Sequence, residues 1–271
     1  MNAGVRMVVE TTGMSSKGRV QLLSFKFPDA LGTLTRSQIA ESQVHLWTGD
    51  SRQAEAEQFT HLLSADEKAR AVRFHFDPDR NDFGFARGMM RVVLGSYLGA
   101  DPEDIDFSYS EHGKPALACV YAEAALRFNL SHTQGSVLMA ICRDREVGVD
   151  IERVREDVEA EEIAAQFFSM AEREALMDLP REFRAPAFFR CWTRKEAFLK
   201  ARGHGLSFPL ERFDVSIGAG ETEVRLTTRP DPAEAQRWQI LQAPAPEGCA
   251  AAVAVASSPQ SDSGGEANGW S

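Results

Sequence analysis

Near the middle of the chain three aliphatic residues, Val147, Val149 and Ile151, alternate with Gly148, Asp150 and Glu152. A period of two fits an extended strand, because in a helix the same six side chains would spread around the whole circumference. On a strand the aliphatic groups share one face and both carboxylates share the other, roughly 6 to 7 Å apart along the chain. Two acids this close repel each other unless a cation lies between them. The segment has no His or Cys, so its oxygen donors suit Mg2+ or Mn2+ rather than zinc. A solvated strand edge, where acids are ordinary, accounts for these six residues just as simply.

A second segment, W-T-R-K-E-A-F-L-K-A-R-G-H-G-L from Trp192 to Leu206, carries the opposite charge. Trp192, Glu196 and Lys200 recur every four residues and so share one helical face, with Lys195 at its side. The spacing predicts a helix from about Ala187 to Arg202 that stops at Gly203-His204-Gly205. A carboxylate flanked by two lysines can supply a third metal ligand and cationic clamps for phosphate. An ordinary ion-pair stripe with Trp192 in the core is the competing reading. Residues 181 to 202 hold seven basic and two acidic side chains, whereas residues 150 to 178 hold ten acidic and three basic ones. Such segregation suits a site that binds a metal and an anion together.

The rest of the pattern mixes helices with short strands. Ser64 and Glu67, and again Ser169 and Glu172, have the capping-box spacing that opens a helix. A long helix is expected from Asn81 to Leu98 and a shorter one from Ser169 to Leu179. Strands are expected at Leu126 to Leu130, Ser136 to Cys142 and Val147 to Glu152, then across Val215 to Leu226 and Trp238 to Val255. No repeat of fixed period shows. The class is α+β, or α/β with mainly antiparallel pairing.

At 271 residues and 43% hydrophobic, the chain can bury a core without disulfides. Its net charge of −10 opposes a role in coating nucleic acid, which needs Lys and Arg against phosphates. The N-terminus has no signal-peptide core and no apolar run is long enough for a bilayer, so a cytoplasmic protein is expected. Cys119, Cys142, Cys191 and Cys249 form no C-x-x-C pair, and each has apolar neighbours, which predicts buried reduced thiols. His45, His61, His75 and His112 show no ligand spacing, and the usual nucleotide-loop, zinc-protease and serine-hydrolase motifs are missing.

Six segments, in order, resemble the motifs of the 4′-phosphopantetheinyl transferases of the surfactin-synthetase-activating, or Sfp-like, type. They are L-S-A-D-E-K-A-R-A-V-R-F (63 to 74), G-K-P-A-L (113 to 117), F-N-L-S-H (128 to 132), G-V-D-I-E (148 to 152), F-F-S-M-A-E (167 to 172) and the Trp192 segment. The resemblance spans about residues 45 to 256. It implies a pseudo-twofold α+β fold of two halves, 1 to 143 and 144 to 256, that meet near Arg143 to Val147 with coenzyme A between them. Residues 1 to about 18 and 257 to 271 are expected to be flexible.

The resemblance also implies roles. Asp150, Glu152 and Glu196 would bind Mg2+, and His132, with Ser131 beside it, Lys195 and Lys200 would contact the phosphates of coenzyme A. Gly113, Lys114 and Pro115 would line the adenine, and Arg87, with Arg70 second, would approach the 3′-phosphate. Glu196 is the first candidate base, with Glu172 or a water as alternatives, although Glu172 also has the capping spacing. Lys200 would stabilise or protonate the leaving phosphate. The partner would be a carrier-protein domain of fatty acid, polyketide or nonribosomal peptide synthesis, met by an exposed arginine such as Arg194, and a monomer would suffice. A Mg2+-dependent nuclease or phosphohydrolase, and a non-catalytic binding module on the same fold, are the alternatives.

Overall fold

The computed structural model describes residues 12–13, 20–28, 39–53, 57–111, 113–203, 208–221 and 223–257. Most of residues 1 to 18, the His204-Gly205 pair and the tail from 258 lie outside the described residues. Up to Arg143 the chain forms β1 (Thr12–Gly13), β2 (Val20–Lys26), β3 (Gln43–Asp50), α1 (Glu57–Thr60), α2 (Ala65–Ala71), α3 (Asp77–Leu98), β4 (Phe107–Tyr109), β5 (Pro115–Leu117), β6 (Leu126–Thr133) and β7 (Ser136–Arg143). Beyond it follow β8 (Val147–Arg153), α4 (Ala160–Phe167), α5 (Met170–Met177), α6 (Arg181–Arg202), β9 (Phe213–Val215), β10 (Glu223–Val224), β11 (Leu226–Thr228), β12 (Trp238–Gln242) and β13 (Cys249–Ala256). No helix among the described residues is long and apolar enough to cross a membrane.

A first sheet has the order β1-β2-β3-β7-β6, and a second the order β10-β12-β13-β8. All their pairings are antiparallel except β2 with β3. Within them one plan recurs: in β3-β7-β6 and in β8-β13-β12 an antiparallel neighbour follows later in the chain. The aliphatic alternation explains the layering. Val147, Val149 and Ile151 join Val44, Leu46, Leu138 and Val253 in a core between the inner faces of both sheets. On the outer face of the first sheet, Trp47, Met139 and Ile141 pack against Met89, Met90 and Val93 of α3. On that of the second, Ala250, Ala252 and Ala254 pack beneath Ala197, Phe198 and Ala201 of α6.

Both capping boxes form as their spacing predicts, each with the Ser side chain accepting from the Glu backbone and the Glu carboxylate accepting in return. Three expectations change. α6 begins at Arg181 rather than Ala187, since Pro186 sits within the helix and removes only one amide donor from it. The expected strand from Val215 to Leu226 breaks into β9, β10 and β11, because Gly218 and Gly220 interrupt the run and Gly220 takes a left-handed φ of 76°. Trp238 to Val255 is a hairpin, opened by Pro244 and Pro246 between its two strands.

β3 escapes a simple hydrophobic pattern because His45 lies in it fully buried. Trp47 Nε1 donates to Tyr97 Oη at 3.1 Å, so the phenol hydrogen goes to His45 Nδ1 at 2.6 Å. His45 Nε2 is left to donate to Gln43 Oε1 at 3.3 Å. Burial lowers the His45 pKa from 6.5 to about 4. The imidazole is therefore neutral in the fold but binds a proton below about pH 6.5 once unfolded. This stability is full above that pH and declines as pH falls toward 4. Urea unfolding should show His45 removing roughly 2 kcal/mol between pH 7 and pH 5. His45→Gln should lack this component; an identical pH dependence in the variant would contradict the assignment.

Candidate active site

The site begins with a missing side chain. A Cβ on Gly148 would stand 2.2 Å from the Ala197 carbonyl oxygen and 2.3 Å from the Ala201 amide nitrogen, both in the backbone of α6. Glycine, with the alanines of β13 alongside, lets the helix lie directly on β8. Glu196 and Lys200 are thereby held over the carboxylate face of that strand. Lys200 Nζ approaches Asp150 Oδ1 at 2.6 Å and Ser131 Oγ at 3.1 Å. Ser131 Oγ donates to Asp150 Oδ1 at 2.9 Å. From the same strand, β6, Thr133 Oγ1 donates to Glu152 Oε2 at 3.2 Å and Asn129 Oδ1 accepts from Val149 N at 2.8 Å. The site thus sits on the seam where β6 of one sheet faces β8 of the other.

Asp150 is only 3% exposed, and its Oδ2 is buried with no hydrogen-bond partner. Glu196 Oε1 is in the same condition. Burial, reinforced by the Asp150 and Glu152 charges, pushes the Glu196 pKa up to about 7 against the pull of Lys200. Burial and then Asp150 also raise Glu152, while Thr133, Lys200 and Arg155 oppose them. Mutually repelling carboxylates with buried unpartnered oxygens fit a hard divalent cation, whose charge would satisfy both. No group of three acidic, His or Cys side chains among the described residues is gathered into a ready metal cage. Asp150 turns one oxygen to Lys200, and Glu152 turns one to Thr133.

Cations surround the opening. His132 is exposed, yet neighbouring protein lowers its pKa chiefly by removing water; Asp82 opposes this, and Lys200, Arg87 and Arg70 push it further down. His132 lies inside β6, which runs through Thr133 instead of ending at Leu130. Asp82 fixes the adjoining turn by accepting from Gly135 N at 2.9 Å and from Ser51 Oγ. Arg70 and Arg87 both stand over the Phe83 ring, at 5.3 and 5.5 Å. Arg70 is exposed, whereas Arg87 is 9% exposed and 3.8 Å from Glu67, so Arg70 is the more available of the two.

Lys114 and Pro115 line a cleft of about 690 Å3 together with Tyr109, Arg202 and Gly203. Gly113, exposed and with φ of 75°, shapes the turn that precedes them. Lys114 Nζ donates to the carbonyls of Lys200 at 2.7 Å and Val147 at 3.2 Å, which ties this turn to the end of α6 and the start of β8. Burial lowers its pKa, with Glu146 opposing.

Four expectations are corrected. Lys195 has no exposed surface: its Nζ donates to the carbonyls of Leu210 and Phe213 at 2.8 and 2.7 Å and pairs with Glu172 at 2.8 Å. These partners occupy all three ammonium hydrogens, so no phosphate contact remains. Glu172 is itself buried, closing its capping box and accepting from Val215 N at 2.8 Å, and does not serve as a base in the cleft. The first sheet's helices repeat the device, for Glu67 closes the other box and pairs with Arg91 at 2.8 Å. Arg194 is fully buried against Glu221 and the carbonyls of Ser216 and Gly218, so it offers no surface to a partner. Finally, although all four cysteines are free, only Cys142 and Cys191 are buried; Cys249 is half-buried, and Cys119 is exposed on the cleft wall.

Sequence reasoning passed over Gly148, Asn129 and Thr133. The signals were there: a glycine in a strand marks close approach, and Asn129, Ser131 and Thr133 alternate along one face of β6.

A carboxylate cluster bordered by Lys200, with His132, Arg87 and Arg70 close by, suits the transfer of a phosphoryl group. Residues 146–254 match the family model of the 4′-phosphopantetheinyl transferase superfamily, and residues 46–143 match that of the 4′-phosphopantetheinyl transferase N-terminal region. The 4′-phosphopantetheinyl transferase HetI of Nostoc sp. is 39% identical over 220 residues, covering 80% of this chain and 90% of that protein. The corresponding transferase Sfp of Bacillus subtilis is 29% identical over 189 residues, covering 69% and 82%. Psf-1 of Bacillus pumilus is 31% identical over 185 residues, covering 68% and 77%. The chain belongs to the 4′-phosphopantetheinyl transferase family.

Two outcomes follow from this packing. Gly148→Ala should lower the unfolding free energy by about 3 kcal/mol or more, because helix backbone must move to admit the methyl group. Lys195→Met should cost about 3 to 5 kcal/mol by stranding the buried Glu172 charge. Chemical denaturation measures both, and near-wild-type midpoints would contradict the structure.

Proposed function

We propose that this chain moves the 4′-phosphopantetheine arm of coenzyme A onto the serine hydroxyl of a carrier-protein domain and releases 3′,5′-ADP. The observation that carries the assignment of the site is the pair of buried, unpartnered oxygens on Asp150 and Glu196 beside the Lys200 ammonium. Coenzyme A would lie between two halves divided near Arg143 to Val147, in the cleft behind Lys114 and Pro115. Arg70, His132 and, from its more buried position, Arg87 would meet its phosphates.

Asp150, Glu152 and Glu196 would hold Mg2+. When bound, the ion supplies charge neutralisation at the pyrophosphate, the main demand of phosphoryl transfer. The serine oxygen attacks the phosphorus that carries the pantetheine arm, and the bond from that phosphorus to the oxygen of the departing 3′,5′-ADP breaks. Glu196, on the helix face over the seam, would accept the serine proton. Lys200, with its side chain 30% exposed, stabilises the departing phosphate. A monomer would suffice, and a cytoplasmic setting accords with this reading.

The test is to incubate the protein with coenzyme A, Mg2+ and an apo carrier domain and to weigh the carrier. Gain of one phosphopantetheine is expected; an unmodified carrier with degraded phosphodiester substrate would favour a hydrolase instead. Asp150→Asn, which keeps the shape and removes the charge, should lower turnover at least about a hundredfold across a Mg2+ titration. Its melting temperature should stay within a few degrees of wild type. Near-normal turnover would remove Asp150 from the site.

A further inference from the structure

Phe83 is 4% exposed, yet it belongs to none of the three hydrophobic cores formed by the described residues. Its ring meets cations instead. Arg70 of α2 stands over it with the guanidinium carbon 5.3 Å from the ring centroid, and Arg87, one turn further along α3, with its carbon at 5.5 Å. Tyr109 of β4 also meets Arg87, at 5.8 Å, so this guanidinium touches two rings. Half-buried Phe74 supports Phe83, with the two ring centroids 5.3 Å apart. A cation over an aromatic face is held by the ring quadrupole, more strongly where water is excluded.

What holds Arg87 leaves its donors unspent. One turn on, Arg91 also stands over a ring, Phe107 at 5.1 Å, but it donates to Glu67 at 2.8 Å and to the carbonyls of Pro102 and Ile105 at 3.1 and 2.9 Å. Among the described residues Arg87 makes only long polar contacts, to Met90 Sδ and Glu67 Oε1, each at 3.8 Å. A guanidinium fixed by ring faces keeps its N–H groups, which lie in its own plane, for an oxyanion. His132 of β6 is within electrostatic reach of both Arg70 and Arg87, so cations from three elements share one neighbourhood. We infer that Phe83 is a positioning residue: its ring holds Arg70 and Arg87 as a pair that grips the 3′-phosphate of coenzyme A. That monoester is the one phosphate of coenzyme A that carries close to two charges near neutral pH, which suits two guanidinium groups.

The inference rests on the transfer reading, and the two fail separately: an unmodified carrier defeats the transfer reading, whereas the role of the ring is read from binding alone. Calorimetry compares coenzyme A with dephospho-coenzyme A, which lacks only the 3′-phosphate. Wild type should bind coenzyme A at least tenfold more tightly. Phe83→Leu, which keeps an apolar side chain and removes the ring, should bring that ratio below threefold. Its Kd for dephospho-coenzyme A should stay within twofold of wild type. A general loss of packing would weaken both ligands alike and preserve the ratio. A ratio within twofold of the wild-type value would therefore overturn the inference, as would a wild type that does not distinguish the two ligands. Should the leucine variant not fold, Phe83→Met, also without a ring, carries the same outcomes.

Discussion

The contact of α6 with β8 at Gly148 is the constraint from which the site follows. Helices ordinarily pack on sheets at a distance set by side chains, but here helix backbone meets strand backbone. The small side chains of Ala250, Ala252 and Ala254 extend the same floor. Because the helix is so close, its Glu196 and Lys200 are brought over carboxylates that lie on the strand. The resulting burial makes every charge there consequential: it lifts Glu196 toward neutrality and leaves Asp150 Oδ2 without a partner. A helix one methyl group farther away would give an ordinary, better hydrated acidic strand.

Around that contact the protein uses one structural device twice and a functional one once. Both sheets are served by a short helix with a capping box whose glutamate reaches a cation on the following long helix, Glu67 to Arg91 and Glu172 to Lys195. These pairs are buried and belong to the framework. Only the second long helix also carries a carboxylate and a lysine on the face turned to the seam. The two lysines of α6 therefore divide their work: Lys195 holds the fold, and Lys200 stays partly exposed beside Asp150.

Much of this was legible in the sequence. The alternation in β8, the two capping boxes and the four-residue spacing of Trp192, Glu196 and Lys200 each produced the expected element, with Trp192 half-buried against Phe188. What stayed hidden depends on the direction of side chains in three dimensions. Lys195 and Lys200 look alike in the motif, yet five residues apart on a helix they point more than one hundred degrees from each other, one into the core and one to Asp150. Arg194 belongs to a basic stretch that reads as surface, and it is buried because Glu221 and two carbonyls from a distant loop receive it. β3 was obscured by His45, a polar residue whose burial is permitted by its bonds to Tyr97 and Gln43.

The central claim is that buried carboxylate oxygens on β8 and α6 form the seat of a divalent cation at the seam. Mn2+ binding followed by electron paramagnetic resonance tests this directly, since free and bound ion give different signals. The account predicts one Mn2+ per chain in the wild type in the presence of coenzyme A, and a loss of at least tenfold in affinity for Glu196→Gln. Equal Mn2+ affinity in wild type and Glu196→Gln would contradict it.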